Sequence, residues 1–283
     1  MKTLKKHVWI LTLVLLATVS GCKKKTENGN VEVKLTDDPF PVSFVASAHI
    51  NITKIEVKNA ETDDYVTVFE GNADYNVAAL NNGVTASVSL QSVPAGVYDE
   101  VRVTLGGASI ELTDGRHFNA NINGSIQENA EIEPALRVEG DNNASLLIDV
   151  DLAETFEFDT NLSGNDIITN VMQIVGLSNF DFNFRAADLN QSGTVEGTVT
   201  DDNGTVYGNA TVKLEGIADL DGDGAPDDII TIANAQGEFE FLGVPSGTYT
   251  LTVEAEDGTE LTASTQVNVT PGNIETVNQF RIN

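Results

Sequence analysis

Apolar and polar residues alternate along most of the chain, which is the two-residue period of β-strands. Val31, Val33 and Leu35 fall on one face of the first predicted strand, and Thr36-Asp37-Asp38-Pro39 follows as a predicted turn. A one-residue slip of the alternation at Thr53-Lys54 predicts a β-bulge in the next strand. The pattern as a whole predicts an all-β protein.

Two similar corners organise the predicted strands. They are Val93-Pro94-Ala95-Gly96-Val97-Tyr98 and Val244-Pro245-Ser246-Gly247-Thr248-Tyr249, and each closes one strand and opens the next. Proline fixes φ, glycine permits a positive φ, and the tyrosine ring can be buried while its hydroxyl reaches the backbone. One corner in each half of the chain predicts two small β-domains.

The first 21 residues have a basic head, a short apolar run and small residues at the end, as in secretory signals. The run is shorter than the roughly 20 apolar residues that a membrane span needs. Val19-Ser20-Gly21-Cys22 resembles the lipobox of bacterial lipoproteins, in which the cysteine is acylated; the alternative is an ordinary signal peptide with an incidental cysteine. The lipobox predicts lipidation of Cys22, a polar tether over residues 22–29, and anchoring in the outer membrane with access to the cell surface.

The charge of the chain excludes one class of partner. The net charge is −28, and loss of the leader, which carries three lysines and no acid, makes it more negative. Such a surface repels phosphate backbones, so we expect no nucleic-acid binding. Because Cys22 is the only cysteine, the folded part has no disulfide, thiolate metal site or cysteine nucleophile.

Three stretches of the first half form a recognisable series. They are Val33-Lys34-Leu35-Thr36-Asp37-Asp38-Pro39, Pro94-Ala95-Gly96-Val97-Tyr98-Asp99-Glu100-Val101-Arg102-Val103 and Leu112-Thr113-Asp114-Gly115. Their order and spacing are similar to those of domain of unknown function 4382, a family found largely in bacterial envelope lipoproteins. The resemblance implies a β-sandwich over residues 30–187 and a location in the cell envelope, but no chemistry.

A new alternating register begins after a polar break at residues 186–192. It begins with the alternating residues Gly193, Val195, Gly197 and Val199. The stretch before the second corner is Gly237-Glu238-Phe239-Glu240-Phe241. This series resembles the carboxypeptidase regulatory-like domain, a transthyretin-like (prealbumin-like) β-sandwich. The resemblance implies a second sandwich over residues 193–283, in a family whose members usually act as structural or binding modules without an active site of their own.

One acidic stretch, Asp219-Leu220-Asp221-Gly222-Asp223-Gly224-Ala225-Pro226-Asp227, has the spacing of a calcium loop. The predicted ligands are Asp219, Asp221, Asp223, Asp227 and the backbone carbonyl of Ala225. Ile230 stands where such loops usually place a bidentate acid, so we expect weak binding, with a Kd of about 10⁻⁴–10⁻³ M. The alternative is an acidic insertion that binds no cation.

Catalysis has little support in the sequence. His49 and His117 are the histidines outside the leader, and both are predicted on solvated strand positions. Nucleophile-elbow and His-Glu-x-x-His motifs are absent. We therefore expect a non-catalytic envelope lipoprotein that acts as a surface binding, adhesion or scaffold module with a glycan or protein partner. A carbohydrate-binding accessory protein for polysaccharide capture is the alternative, and an envelope hydrolase is the third hypothesis.

Overall fold

The computed structural model describes residues 27–38, 44–140, 142–160, 174–201, 203–218, 227–254 and 260–282. These residues form two β-domains in succession. The strands of the first are β1 (Asn28–Asp38), β2 (Val45–Asn59), β3 (Tyr65–Asn76), β4 (Ala86–Pro94), β5 (Gly96–Leu112), β6 (His117–Asn119), β7 (Ile126–Val138), β8 (Asn143–Asp151), β9 (Phe156–Thr160), β10 (Ile174–Phe180) and β11 (Phe184–Asp188). A single helical turn, α1 (Leu152–Thr155), separates β8 from β9. Within the described ranges, no helix is long and apolar enough to span a membrane.

Most strands of the first domain belong to one nine-stranded sheet. Its order is β3-β2-β5-β7-β11-β8-β1-β4, with β6 added beside β5, and β9 pairs separately with β10. Different strands along this order contribute fully buried residues to one apolar cluster, among them Val33, Ile50, Val103 and Leu146. The inward positions of the predicted alternation therefore form a single core.

The second domain is a sandwich of two smaller sheets. Its strands are β12 (Gly193–Asp201), β13 (Thr211–Ala218), β14 (Asp227–Ile232), β15 (Glu238–Val244), β16 (Gly247–Glu254), β17 (Glu260–Val269) and β18 (Ile274–Ile282). The sheets have the orders β15-β12-β18 and β14-β13-β16-β17. Val195, Val212, Phe239 and Leu251 pack between them in a second apolar cluster. The predicted all-β, two-domain architecture is confirmed.

Both predicted corners place their tyrosine as expected, although Gly96 and Gly247 do not adopt a positive φ. The Tyr98 hydroxyl donates to the Pro94 carbonyl at 2.8 Å, and the Tyr249 hydroxyl donates to the Pro245 carbonyl at 3.0 Å. Both rings are buried, at 0% and 8% exposure. The bulge in β2 is confirmed as well, because its register shifts next to Thr53 against both neighbouring strands.

The turn predicted at Thr36-Asp37-Asp38-Pro39 is wrong. Strand β1 continues to Asp38, where Asp37 and Asp38 pair in parallel with Val150 and Asp151 of β8. Both aspartates are buried, at 5% and 8% exposure. Local sequence favours a turn at these residues, but pairing with β8 on one side and contact with the second domain keep them in the sheet.

The polar break predicted at residues 186–192 is also too long. Ala186 and Ala187 belong to β11, a central strand between β7 and β8, and are 4% and 0% exposed. Phe180, Phe182 and Phe184 alternate with polar residues in the sequence, which is the spacing of a core strand. Phe182 and Phe184 are buried, but residues 181–183 leave the sheet between β10 and β11. The strand is shorter than the pattern because the chain changes sheets here.

The connection between the domains is short and hydrogen-bonded. The Asp188 carboxylate accepts from the backbone N–H of Arg137 at 3.0 Å and of Asn190 at 2.9 Å. The Asp188 carbonyl accepts from the N–H of Gln191 and of Ser192. Asp188 therefore fixes the path by which the chain leaves the first sheet and enters β12.

Candidate functional site

Arg185 of β11 fastens the two domains together. Its Nη2 lies 2.5 Å from Asp149 Oδ2 and donates to the Leu242 carbonyl at 2.8 Å, while Nη1 donates to the Gly243 carbonyl at 2.9 Å. The side chain is 9% exposed. One guanidinium thus joins a buried carboxylate of the first domain to the backbone of β15 in the second, a geometry that suits its planar array of donors.

Two further side chains of the first domain bond to the backbone of the second. Both oxygens of Asp38 accept from the Ile230 N–H at 3.1 Å. Asn82 accepts from the Glu240 N–H at 2.7 Å and donates to the Glu238 carbonyl at 3.1 Å. The backbone of strands β14 and β15 is therefore hydrogen-bonded to side chains of the first domain at several points.

A cavity of about 220 Å³ lies at this junction and is strongly acidic. Carboxylates from both domains line it, together with the guanidinium of Arg185. These carboxylates belong to Asp38, Asp149, Asp151, Glu154, Asp227 and Asp228. The cavity therefore concentrates negative charge that one arginine only partly balances.

Burial governs the ionisation of the carboxyls in this cavity. It raises the pKa of Asp151 to about 6, although the Glu154 N–H donates to that carboxylate. Burial, followed by repulsion from Asp151 and Asp149, raises the pKa of Asp38 well above its usual value. Charging these groups is costly, so the junction favours a compensating proton or cation.

The predicted calcium ligands fall largely elsewhere. Asp219, Asp221, Asp223 and Ala225, together with the predicted lipidation site Cys22, lie outside the described residues. Asp227 begins β14 and lines the acidic cavity. Among the residues that the structure describes, no three acidic, histidine or cysteine side chains are arranged to hold a metal ion. Calcium binding by the loop remains a prediction.

A second, open groove of about 590 Å³ runs over the three-stranded sheet of the second domain and is bordered by Asn82 of the first. Its polar lining consists of hydroxyl, amide and carboxylate groups. These include Glu196, Thr198, Asn234, Glu238, Glu240 and Thr276. Burial, followed by repulsion from Glu196, raises the pKa of Glu240. The groove offers donors and acceptors suited to a polyhydroxyl ligand.

The histidines lie apart from these features. His49 Nδ1 is 2.7 Å from Asp74 Oδ2 at the solvent-facing side of β2, and His117 is exposed in β6. Neither lines the acidic cavity or the groove. This placement matches the solvated strand positions predicted for them.

The residues that build the junction do not follow from the alternation of the sequence. Asp37 and Asp38 were assigned to a turn, and Arg185 was not singled out. A signal for Arg185 exists, because it is a lone charge among the apolar and small residues of Phe184-Arg185-Ala186-Ala187. Such a residue in a strand needs a buried partner, and here the partner is Asp149.

Fold and junction together define a class: an all-β protein of two tandem domains fastened through buried charged groups. The family described as Domain of unknown function (DUF4382) matches residues 28–165, and the carboxypeptidase regulatory-like domain matches residues 194–282. The two matched ranges follow one another along the chain, with the DUF4382 match first. Strand β11, which carries Arg185 and Asp188, lies between the two matched ranges.

The solved structures that match this chain have low sequence identity and low structural similarity to it. The Bacillus anthracis TIE protein is 10% identical over 84% of this chain and 35% of its own, with a TM-score of 0.24, so the chain spans about a third of its length. BcpA, the major pilin subunit of Bacillus cereus, is 12% identical over 91% of this chain and 70% of its own, with a TM-score of 0.25. GBS52, the minor pilin of Streptococcus agalactiae, is 9% identical over 89% of this chain and 96% of its own, with a TM-score of 0.24. No curated protein matches the chain.

Proposed function

We propose that this protein is a non-catalytic lipoprotein of the cell envelope that holds a binding domain in a fixed orientation relative to the domain next to its anchor. The observation that carries the proposal is the junction, where Arg185 bonds to Asp149 and to two carbonyls of β15. A connection of residues 189–192, held by Asp188, adds to it. Both support a rigid two-domain unit, which suits a scaffold or an adhesion module.

The proposed anchor is a lipid on Cys22. Strand β1 begins at Asn28, so only a few residues separate the cysteine from the first sheet. We expect the wild-type protein in the outer-membrane fraction and a Cys22→Ala variant in the soluble fraction. Protease treatment of intact cells then separates the roles: digestion of the second domain supports adhesion, whereas protection until lysis supports a periplasmic scaffold. Wild-type protein in the soluble fraction would contradict the anchor.

The proposed role of the acidic loop is to bind calcium weakly through Asp219, Asp221, Asp223, Asp227 and the Ala225 carbonyl. Alternating carboxylates on a loop can wrap one hard cation. Isothermal titration with CaCl₂ should give a Kd of about 10⁻⁴–10⁻³ M. Asp221→Asn should remove the component of the heat that has this Kd, and a titration of the variant that is unchanged from wild type would refute the loop as a site.

Polysaccharide capture is the second candidate, and the groove of about 590 Å³ favours it. Thr198, Asn234 and Thr276 offer neutral hydrogen-bonding groups to sugar hydroxyls. Titration with cell-wall and plant oligosaccharides tests this, with Thr198→Val as the groove variant and Thr248→Val, an exposed threonine on β16, as its control. Binding that is lost only in Thr198→Val supports capture. Equal behaviour of both variants, or no binding, refutes the groove as a glycan site.

A further inference from the structure

A smaller cavity of about 20 Å³ adjoins the acidic cavity in the junction. That is room for roughly one water molecule or one ion. Asp37, Asp149 and Arg185 of the first domain line it, and Thr231 and neighbouring residues of β14 and β15 line it from the second. The cavity is therefore enclosed by both domains.

The polar groups around this cavity lack partners. Both carboxylate oxygens of Asp37, Asp149 Oδ1, Thr231 Oγ1 and Arg185 Nε are buried without a hydrogen bond. Asp37 is 5%, Asp149 6% and Thr231 3% exposed. Buried polar groups in folded proteins are nearly always paired, and several unpaired groups around one small cavity indicate a bound species.

The charge around the cavity identifies that species. Asp37, Asp38, Asp149 and Asp151 lie close together, and Arg185 is the positive group beside them. A water molecule would satisfy hydrogen bonds but would leave the excess negative charge, whereas a cation compensates both.

We propose that a hard divalent cation of the calcium type binds in this cavity and is shared by the two domains. Asp37 and Asp149 supply carboxylate oxygens from the first domain, and Thr231 supplies a hydroxyl oxygen from the second. Mixed carboxylate, neutral-oxygen and water ligands are typical of such ions. This donor set contains two carboxylates, so it is compatible with the absence of a three-acid centre among the described residues.

The acidic cavity of about 220 Å³ provides the route to this site. Asp149, Arg185 and Ile230 line both cavities, so the larger one adjoins the smaller. Its carboxylates attract cations. Water in the adjoining cavity of about 220 Å³ completes the coordination of the ion. Because ligands come from both domains, cation binding stabilises their association.

Thermal unfolding and isothermal titration of the full chain with CaCl₂ test the proposal, with NaCl at matched ionic strength as the reference. The junction variants are Asp37→Asn and Thr231→Val. The surface control is Asp63→Asn, since Asp63 is 82% exposed and has a positive φ that asparagine tolerates. Asp221→Asn separates the junction from the acidic loop.

We expect calcium to raise the unfolding temperature of wild type, Asp63→Asn and Asp221→Asn by similar amounts. Asp37→Asn should lose that rise yet be at least as stable as wild type without calcium, because the amide removes a buried charge. This second result excludes simple misfolding. Thr231→Val keeps the shape of the side chain and should weaken binding by roughly tenfold, the effect of one lost contact to a charged group.

Three results would overturn the proposal. A calcium response that survives in Asp37→Asn and disappears in Asp221→Asn would assign all binding to the loop. An equal response to NaCl at matched ionic strength would show charge screening. A wild-type protein whose unfolding temperature does not respond to calcium would indicate that the cavity holds a proton or water and not a divalent cation.

Discussion

Tyr98 and Tyr249 each donate a hydrogen bond to the carbonyl of the proline four residues earlier. The geometry repeats in two unrelated sheets because the same local sequence produces it: proline sets the corner, and the next strand brings the tyrosine ring back over it. In antibody-type sandwiches a tyrosine corner plays a comparable role. At this scale, local sequence determines structure.

Removing the hydroxyl at the first corner should destabilise the protein. Tyr98→Phe keeps the fully buried ring but leaves the Pro94 carbonyl without its donor, at a cost of about 1 kcal/mol. Urea denaturation measures the change, and Tyr249→Phe should give a similar loss in the second domain. Two variants as stable as wild type would show that the corners depend on ring packing alone.

Asp38 and Arg185 show the opposite dependence on context. Neither residue type favours a buried strand, and each is stabilised by a partner that is distant in sequence: the Ile230 N–H for Asp38, and Asp149 with β15 for Arg185. Local propensity therefore predicted a turn where β1 continues. The isolation of Arg185 in an apolar strand could have marked it as a residue with a buried partner. Local sequence could not identify that partner, because Asp149 and β15 are brought to Arg185 only by the tertiary structure.

Strand β11 shows how far sequence patterns specify an element. Its five residues are all buried, and it separates β7 from β8 in the first sheet. Alternation predicted the long strands β1, β2 and β5 and the corners, because their periods extend over many residues. It did not predict β11, since five residues with an arginine at the second position contain too little periodicity.

The end of β11 should give the protein an unusual dependence on pH. Burial raises the pKa of Asp188 even though two backbone N–H groups donate to its carboxylate. An acid with a raised pKa binds its proton more tightly in the folded than in the unfolded state. Its contribution to stability is therefore fully present below the unfolded pKa of about 4 and is lost as the pH rises through the folded pKa.

Asp188→Asn tests this sign, because the amide does not titrate. We predict that wild type gains stability relative to Asp188→Asn when the pH is lowered from neutral to about 4. Guanidinium denaturation of both proteins at each pH measures the difference. Asp114→Asn is the control, since the neighbouring Arg116 and its backbone N–H lower the pKa of Asp114. A difference between wild type and Asp188→Asn that is independent of pH would contradict the prediction.

At the scale of the whole molecule, the junction decides whether the two domains behave as one body. The two β-domains and their order were predictable from sequence, because each has its own alternation and corner. Their mutual arrangement was not, because it depends on side chains such as Asn82 and Arg185 that bond to backbone of the other domain. The predicted calcium loop and Cys22 lie outside the described residues and remain predictions.

Removing the guanidinium should uncouple the domains. Arg185→Ala leaves Asp149 buried without its partner and frees two carbonyls of β15, a loss of about 3–5 kcal/mol if the charge stays buried. The junction can avoid that cost by opening to solvent. We therefore expect faster proteolysis at residues 189–192 in Arg185→Ala than in Arg137→Ala, an exposed arginine on neighbouring β7. Equal cleavage of both variants would contradict a fastening role.

Differential scanning calorimetry of the full chain tests the rigid two-domain unit most directly. Domains joined through buried charges and a hydrogen-bonded connection should unfold in one cooperative transition, with equal calorimetric and van't Hoff enthalpies. Arg185→Ala should divide that transition into two. Two separate transitions in the wild-type protein, unchanged in Arg185→Ala, would show that the domains are independent and would contradict the account.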